Sequence, residues 1–278
     1  MAHRIQYRHF GEGELVILVH GYGGSVHQWT NIKDILQHQF QVVIPNLSHI
    51  YMSHDKLLFS VQVSKFAISL KEQFPGRRVH MVGTSYGAAI CWALSILHPE
   101  LVQSMTLVNP MVPNPIQYFV PSELRYFFVL PISKKAVFIL LKTSIGKAFL
   151  RKTSELFKGE QKELGIDLDQ LNQRKLMFIA HLMAQFSWIL RNEDWLYWES
   201  KLADIYPQVT MVYDADDTLF SSQTYENFSK MIEPFQKVIT QKGGHASIIE
   251  CAPVISDAIK TAVLSSMPGS KSRTSESA

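Results

Sequence analysis

The sequence predicts a protein of the α/β class, with a mainly parallel central sheet flanked by helices and one inserted helical cap. Over the first 110 residues, short apolar or β-branched runs alternate with longer segments of helical periodicity, which is the pattern of parallel strands joined by helices. The alternation then stops and resumes after about residue 204. We therefore predict a core of residues 1–110 and 204–266, a helical cap of residues 111–203 and a disordered, Ser-rich tail of residues 267–278.

The predicted elements of the core follow from the spacing of apolar residues. Strands are predicted over residues 15–19, 41–45, 78–82, 104–109, 208–213 and 237–240, with an additional edge strand over residues 4–9. Helices are predicted over residues 28–37, 56–73, 85–98, 222–232 and 252–265. The cap is distinguished by a proline-rich start, at Pro110, Pro113, Pro115 and Pro121, followed by helix formers without obvious strands.

The bulk composition argues against several classes of function. A formal net charge of +3 over 278 residues, without a long run of Lys or Arg, argues against nucleic acid as a partner. Cys91 and Cys251 are too few for a disulfide framework or a thiolate metal site, and we expect both to be buried apolar thiols. The amino terminus lacks an export signal, and no apolar run reaches the roughly 18 residues of a spanning helix. We therefore predict a cytoplasmic protein that does not span a membrane, of open oligomeric state.

The clearest chemical signal is the segment Gly83-Thr84-Ser85-Tyr86-Gly87, which follows a predicted strand and opens a predicted helix. This strand–turn–helix context is what the G-x-S-x-G motif of a nucleophile elbow requires. The two glycines remove Cβ atoms that would collide in so tight a turn. The turn exposes the Ser85 hydroxyl and aims the amino terminus of the following helix at any oxyanion that forms beside it. We therefore predict that Ser85 is a nucleophile; the alternative is a glycine turn with an incidental serine.

A second signal is the loop Gly21-Tyr22-Gly23-Gly24, which follows the most apolar of the predicted strands. A backbone N–H group of such a loop, together with the N–H that follows the nucleophile, can stabilise the oxyanion of acyl transfer. We therefore predict an oxyanion hole formed by the amides of Tyr22 and Tyr86, with Gly21 and Gly23 beside the substrate.

Dinucleotide binding is the alternative interpretation of this loop, because Gly-x-Gly after a strand is part of the dinucleotide fingerprint. The third glycine of that fingerprint is replaced here by Val26. The residue that ends the next strand is Asn46, where an acid would bind the ribose. We therefore disfavour nucleotide binding.

Two further groups follow strands after the cap. Asp214, Asp216 and Asp217 come after one strand, and His245 comes after the next, behind two glycines. A serine hydroxyl needs an imidazole to take its proton, and the imidazole needs a carboxylate to orient it. Of the 11 histidines, only His245 has this setting. We therefore predict that His245 is the general base for Ser85, with three carboxylates competing for the third position.

These motifs, in this order, resemble those of the α/β-hydrolase superfamily, in its cap-bearing branch of serine hydrolases that includes esterases and monoglyceride lipases. The resemblance covers nearly all of the chain before residue 267 and includes residues 98–110. It implies the α/β-hydrolase fold, a helical lid and a Ser-His-Asp catalytic triad. The acid turn of the family often reads Gly-x-x-Asp, which places Asp214 at the glycine position and implies Asp217 as the acid, with Asp216 second.

Two features depart from the family pattern. Members commonly have an Asp and a glycine-rich turn after the strand that corresponds to residues 41–45, whereas this chain has Asn-Leu-Ser-His-Ile-Tyr-Met-Ser over residues 46–53. Asp214 in place of a glycine is the second departure. Because the first loop borders the site in relatives, the natural substrate does not carry over by analogy.

The predicted reaction is acyl transfer from a carboxylic ester to Ser85 and then to water. It implies no organic cofactor and no metal, since the sequence lacks a His-Glu-x-x-His element and zinc-type Cys/His spacing. An aromatic-rich cap favours a small-molecule substrate with an apolar acyl or alkyl group. Two alternatives stay open: a catalytically silent receptor or scaffold on the same fold, and an acyltransferase that uses the same serine.

Residues 124–152 of the predicted cap mix Phe and Leu with several Lys and Arg. A helix that lies at a lipid surface has this composition. A solvated basic face explains the charges as well. Peripheral membrane contact through the cap is therefore one expectation, and simple solvent exposure is the other.

Overall fold

The computed structural model describes residues 4–53, 55–152 and 171–267. Residues 268–278 of the tail predicted over residues 267–278, and residues 153–170 of the predicted cap, lie outside these ranges. The described chain forms a seven-stranded sheet, and each predicted strand is confirmed with ends that shift by at most two residues. Its strands are β1 (Gln6–Phe10), β2 (Glu14–Val19), β3 (Phe40–Asn46), β4 (Val79–Thr84), β5 (Val102–Val108), β6 (Gln208–Asp214) and β7 (Gln236–Thr240).

The order of the strands decides where the loops meet. It runs β1-β3-β2-β4-β5-β6-β7, with β1 antiparallel to β3 and all the other described pairs parallel. The carboxyl ends of β2 to β7 therefore lie at one edge of the sheet, which is where open α/β sheets bind ligands. The predicted site residues follow β2, β4, β6 and β7 at this edge.

Helices cover both faces of the sheet. Val16 and Leu18 of β2 pack in one buried cluster, whereas Leu15 and Ile17 pack in the other, because successive side chains of a strand point to opposite faces. The described helices are α1 (Thr30–Leu36), α2 (Ser48–Tyr51), α3 (Phe59–Gln73), α4 (Tyr86–Leu97), α5 (Ser122–Val129), α6 (Lys134–Leu141), α7 (Ser144–Lys152), α8 (Gln173–Asn192), α9 (Trp195–Ser200), α10 (Ser222–Ile232), α11 (Ser247–Glu250) and α12 (Ala252–Ser265). Helices α1 and α12 cover the first face, and α3 and α4 cover the second.

Two local predictions are corrected. The helix predicted from residue 56 begins at Phe59, where the carboxylate of Glu193 accepts from both the backbone N–H and the hydroxyl of Ser60. Because Glu193 comes from a distant part of the chain, the sequence next to Phe59 contains no capping residue that would mark the start of the helix. Cys91 is buried as predicted, but Cys251 is half-buried and its thiol donates to the carbonyl of Lys242 at 3.0 Å.

The segment between β5 and β6 contains helices and no strand among its described residues. Helices α5 and α6 pack on α8, and α6 packs on α7. Aromatic rings join α5 to α7, with Phe127 and Phe149 5.1 Å apart, and α5 to α8, with Phe128 and Phe186 5.3 Å apart. The helical character agrees with the sequence, while the role of the segment as a cap stays a prediction. No helix in the described part of the chain combines the length and apolarity that crossing a bilayer demands.

Candidate active site

Ser85 lies in a strained turn between β4 and α4. Its backbone angles are φ 53° and ψ −120°, a region that costs about 1 to 3 kcal/mol for a residue with a side chain. The flanking glycines allow the turn, since a Cβ on Gly83 would lie 2.5 Å from the carbonyl oxygen of Gly87 and one on Gly87 would lie 2.3 Å from that of Val19. A hydrogen bond to the neighbouring strand stabilises this strained conformation, because the Ser85 N–H donates to the carbonyl oxygen of Val108 at 3.0 Å.

Three predicted side chains form one chain of hydrogen bonds. The Oγ of Ser85 lies 2.8 Å from Nε2 of His245, and Nδ1 of His245 lies 2.8 Å from Oδ2 of Asp217. A carboxylate only accepts, so Nδ1 carries the proton and the lone pair of Nε2 faces the serine hydroxyl. His245 is 6% exposed. This arrangement allows the imidazole to take a proton from Ser85.

The carboxylate that contacts His245 belongs to Asp217 and not to Asp216. Oδ1 of Asp217 accepts the backbone N–H of Leu219 at 2.7 Å, and its Oδ2 accepts the hydroxyl of Tyr225 at 2.6 Å. Burial of Asp217 acts to raise its pKa, but the charge and hydrogen bond of His245, together with these donors, outweigh it and hold the pKa below the usual value. The carboxyl group of Asp217 is therefore ionised at neutral pH, so a carboxylate is available to the imidazole of His245.

Tyr225 is a site residue that the sequence does not reveal. Its hydroxyl lies on α10 and reaches Asp217 only because the helix packs beside the loop after β6. Burial, and then the adjacent carboxylate, raise the pKa of Tyr225 well above its usual value. The phenol therefore stays protonated and remains a donor.

Asn109 and Asp214 fix the loops that carry the acid and the imidazole. The Nδ2 of Asn109 lies within 3.1 Å of the carbonyl oxygens of Gly244 and His245 and of the Ser247 hydroxyl, and its Oδ1 accepts the N–H of Asp214 at 2.8 Å. Asn109 is fully buried and has φ 41°. The side-chain amide therefore joins the ends of β5 and β6 to the loop that carries His245.

The carboxylate of Asp214, at the position where relatives often have glycine, makes three hydrogen bonds. It accepts from the Thr240 hydroxyl at 2.7 Å, from Lys242 N–H at 2.9 Å and from Asp216 N–H at 3.0 Å. Since it is fully buried, these donors compensate its lost hydration. The departure noted in the sequence is thus a structural clamp between β6 and β7. The signal available in the sequence was an acid at the end of a buried strand.

The glycine loop after β2 is supported by the unusual segment that follows β3. Leu47 N–H donates to Nε2 of His20 at 3.0 Å, which leaves the proton on Nδ1 to donate to Gly21 O at 2.9 Å. The hydroxyl of Tyr51 donates to the His20 carbonyl at 3.1 Å. Residues 46–53 therefore hold the loop from outside.

The residues predicted for the oxyanion hole and those predicted beside the substrate differ in their surroundings. The backbone N–H groups of Tyr22 and Tyr86 donate to no other described residue, whereas both side chains are buried, with ring centroids 5.3 Å apart. Gly21 lines the cleft beside Ser85. Gly23 is absent from that lining; it has φ 70° in the turn closed by Gly24 N–H and Gly21 O. This turn gives Gly23 a conformational role, and its place beside the substrate stays a prediction.

The cleft above Ser85 is largely apolar. Phe186 of α8 reaches it from the segment between β5 and β6 and stacks on Tyr22, with ring centroids 4.5 Å apart. The Tyr22 hydroxyl donates to Leu182 O on the same helix at 3.1 Å. The cleft is lined by Gly21, Tyr22, Gln28, Thr84, Ser85, Phe186, His245, Ala246, Ile248 and Ile249.

Comparison with known proteins places this geometry in a family. The family model described as "alpha/beta hydrolase fold" matches residues 14–252. A protein named as a carbamate hydrolase, RutD of Stutzerimonas stutzeri strain A1501, is 22% identical over 255 residues, which are 90% of this chain and 91% of RutD.

Solved structures show the same fold at low sequence identity. An esterase from Thermogutta terrifontis superposes with a TM-score of 0.67 at 12% identity, covering 94% of this chain and 93% of the esterase. The enol-lactonase of Burkholderia xenovorans LB400 superposes with a TM-score of 0.59 at 13% identity, covering 93% of this chain and 96% of the lactonase.

Proposed function

Because the chain belongs to the α/β-hydrolase fold family, we propose that it is a serine hydrolase that cleaves carboxylic esters through an acyl-enzyme. The observation that carries the proposal is the continuous hydrogen-bond chain from Ser85 through His245 to Asp217, with both contacts at 2.8 Å. An incidental serine would not require a strained turn, a facing imidazole and a buried carboxylate together. The names of the esterase and lactonase neighbours agree with an ester substrate.

The first half-reaction transfers the acyl group to the enzyme. Oγ of Ser85 bonds to the ester carbonyl carbon while Nε2 of His245 takes its proton, and the carbonyl electron pair moves onto oxygen. The tetrahedral intermediate then expels the alcohol oxygen, which receives the proton from His245. The product of this step is an ester of Ser85.

Water completes the second half-reaction. His245 takes a proton from water as its oxygen bonds to the acyl carbon, and the acid leaves as Ser85 regains its hydrogen. Asp217 stays ionised throughout and stabilises the imidazolium. The N–H groups of Tyr22 and Tyr86 are available for the oxyanion, and one such donor is worth about 10² to 10³ in rate.

An apolar acyl group suits the cleft. Phe186, Ile248 and Ile249 supply hydrocarbon surface beside Ser85, and a mainly apolar pocket favours a substrate of the same character. We therefore expect esters of uncharged, short or medium acyl groups to react faster than esters of charged acyl groups.

Active-site labelling tests the proposal. A fluorophosphonate probe should label the wild-type chain and fail on Ser85→Ala, while Ser95→Ala, which changes a buried serine of the helix α4 that follows Ser85, should label normally. The wild-type chain should also hydrolyse 4-nitrophenyl butyrate. A wild-type chain that neither labels nor hydrolyses this ester would make the receptor or scaffold hypothesis the better one.

The acyltransferase hypothesis predicts a different product. With an added alcohol or thiol, a transferase yields a new ester or thioester, whereas a hydrolase yields mainly the free acid. Product analysis by mass spectrometry separates the two, and dominance of the transfer product at millimolar acceptor would replace hydrolysis as the assigned reaction.

A contact with anionic lipid is also proposed for helices α5 to α7. Residues 122–151 hold six cations against the single acid Glu123. Tyr126 is 74% exposed and Ile145 is 76% exposed, so apolar and basic groups share the outer surface, as in interfacial helices. The cations are Arg125, Lys134, Lys135, Lys142, Lys147 and Arg151.

A further inference from the structure

The side-chain amide of Gln28 is held against the glycine loop in one orientation. Its Oε1 lies 3.1 Å from the backbone nitrogen of Gly21. Because that nitrogen is a donor, only the oxygen of the amide can face it. The NH₂ group of Gln28 therefore points away from Gly21, and the two ends of the amide are distinguished by chemistry.

Gly24 makes room for this amide. A Cβ on Gly24 would lie 2.3 Å from Oε1 and 2.5 Å from Nε2 of Gln28. Any side chain at position 24 would thus displace the Gln28 amide from its place over the loop. The absence of a side chain at Gly24 therefore has a specific steric reason.

Gln28 borders the same cleft as Ser85 and His245. A Cβ on Gly21 would lie 3.4 Å from Cβ of Ser85 and 3.9 Å from Oε1 of Gln28, so a single methyl group at that point would touch both side chains. The Gln28 amide and the Ser85 side chain therefore both lie next to Gly21, at the same part of the cleft. Nε2 donates to no described residue.

We propose that Gln28 is a substrate-binding residue, whose NH₂ group donates a hydrogen bond to an acceptor oxygen one or two atoms from the acyl carbon. The inference rests on the proposed esterase function and narrows its substrates to esters with such an oxygen, for example alkoxyacyl esters. In a cleft that Phe186, Ile248 and Ile249 also line, one fixed donor sets orientation and discriminates against hydrocarbon isosteres.

Two esters of nearly equal shape test the proposal. In 4-nitrophenyl methoxyacetate, an ether oxygen replaces one CH₂ group of 4-nitrophenyl butyrate. The measured quantity is kcat/KM for the methoxyacetate divided by kcat/KM for the butyrate. Comparing this ratio between variants cancels the different intrinsic reactivity of the two esters. We expect the ratio to fall about three- to tenfold in Gln28→Met, which removes the donor, and further in Gln28→Glu, which presents a carboxylate oxygen instead.

The Glu variant separates substrate binding from support of the loop. Its carboxylate can still accept the Gly21 N–H, so a purely structural role for Gln28 predicts a wild-type ratio in Gln28→Glu. Gly24→Ala should lower the ratio in the same direction as Gln28→Met, since it displaces the amide. Gln39→Glu, the same change at an exposed position, should keep the wild-type ratio.

The outcomes are distinct. A wild-type ratio in Gln28→Glu, with measurable turnover of each ester, overturns the assignment of Gln28 whatever the ratio in Gln28→Met, and leaves the esterase function intact. Absence of turnover of both esters by the wild-type chain overturns the esterase function and the assignment with it.

Discussion

The hydroxyl of Tyr225 donates to Oδ2 of Asp217 at 2.6 Å, the same carboxylate oxygen that faces Nδ1 of His245. Two donors thus share one oxygen, and the phenol limits how strongly the carboxylate binds the imidazolium. Since the phenol is one of the donors that hold the pKa of Asp217 below its usual value, its removal raises that pKa. The protonated, inactive form of Asp217 then persists to higher pH.

We therefore predict that Tyr225→Phe lowers kcat/KM by about two- to tenfold and moves the acidic limb of the pH–rate profile to higher pH. Tyr213→Phe is the matched control, because the Tyr213 ring packs on Tyr225, with centroids 5.0 Å apart, while its hydroxyl contacts Glu226. Profiles of kcat/KM for the three proteins give the answer, and a limb that stays in place in Tyr225→Phe would contradict the prediction.

The two neighbouring acids should differ sharply in a matched substitution. Asp217→Asn removes the charge and favours the wrong imidazole tautomer, so we expect kcat to fall about 10⁴-fold. Asp216→Asn should change kcat less than threefold, since its carboxylate does not contact His245. Comparable losses in the two variants would place the acid elsewhere.

Asn109 should matter for both stability and catalysis. Asn109→Asp keeps the shape but turns a carboxylate oxygen toward two carbonyl oxygens and the Ser247 hydroxyl. We expect a loss of about 2 to 4 kcal/mol in the free energy of unfolding. We also expect kcat to fall by a larger factor than KM changes, because the loop that carries His245 loses its hydrogen bonds to Asn109. Urea titration and steady-state kinetics measure the two effects.

Asn114→Asp is the control for that substitution, because Asn114 also has a positive φ, of 53°, but its side chain makes no helix-capping hydrogen bond. It should cost less than about 1 kcal/mol. Equal losses at the two positions would show that backbone conformation, rather than the amide contacts, accounts for the effect at Asn109.

His80 should make the fold sensitive to mild acid. Burial lowers the pKa of His80 to about 4, from 6.5 in the unfolded chain, and its Nδ1 contacts the Ser104 hydroxyl at 2.8 Å. The stability is complete above pH 6.5 and is lost as the pH falls toward 4, because only the unfolded state takes up the proton in that interval. The loss amounts to about 3 kcal/mol at most.

His80→Asn should flatten this dependence, since Asn offers a polar atom near the same position without titrating. Urea unfolding at pH 7, 5.5 and 4.5 measures the difference between the two proteins, in which the contributions of the other histidines cancel. Parallel stability curves would show that His80 does not titrate in this way.

Anionic vesicles should bind the proposed lipid-contact surface. Reversal of charge at Lys134 and Lys135 together should weaken binding to phosphatidylglycerol-containing vesicles by about thirtyfold or more, given about 1 kcal/mol per cation. The control is Lys65→Glu with Lys230→Glu, an equal change on the core helices α3 and α10. Co-sedimentation that is unaffected, or is equal with neutral vesicles, would argue for a merely solvated basic face.

Local patterns in the sequence determined the strands, most helices and the choice of Ser85 as the proposed nucleophile. Apolar periodicity is a property of each segment, so β2, β4 and β6 could be placed within two residues. Ser85 could be singled out because its strain is local: Gly83 and Gly87 are needed within two residues on either side. His245 and the acid turn followed from their positions after strands.

The tertiary structure decided what depends on distance in space rather than in sequence. Asp217 rather than Asp216 faces the imidazole because of how the loop after β6 is held, and that holding comes from Asn109, 105 residues away from its contact at Asp214. Tyr225 and Gln28 carry no sequence signal, since a single hydroxyl or amide has no periodicity. Their roles arise only when the packed core brings donors and acceptors from separate segments within hydrogen-bond distance.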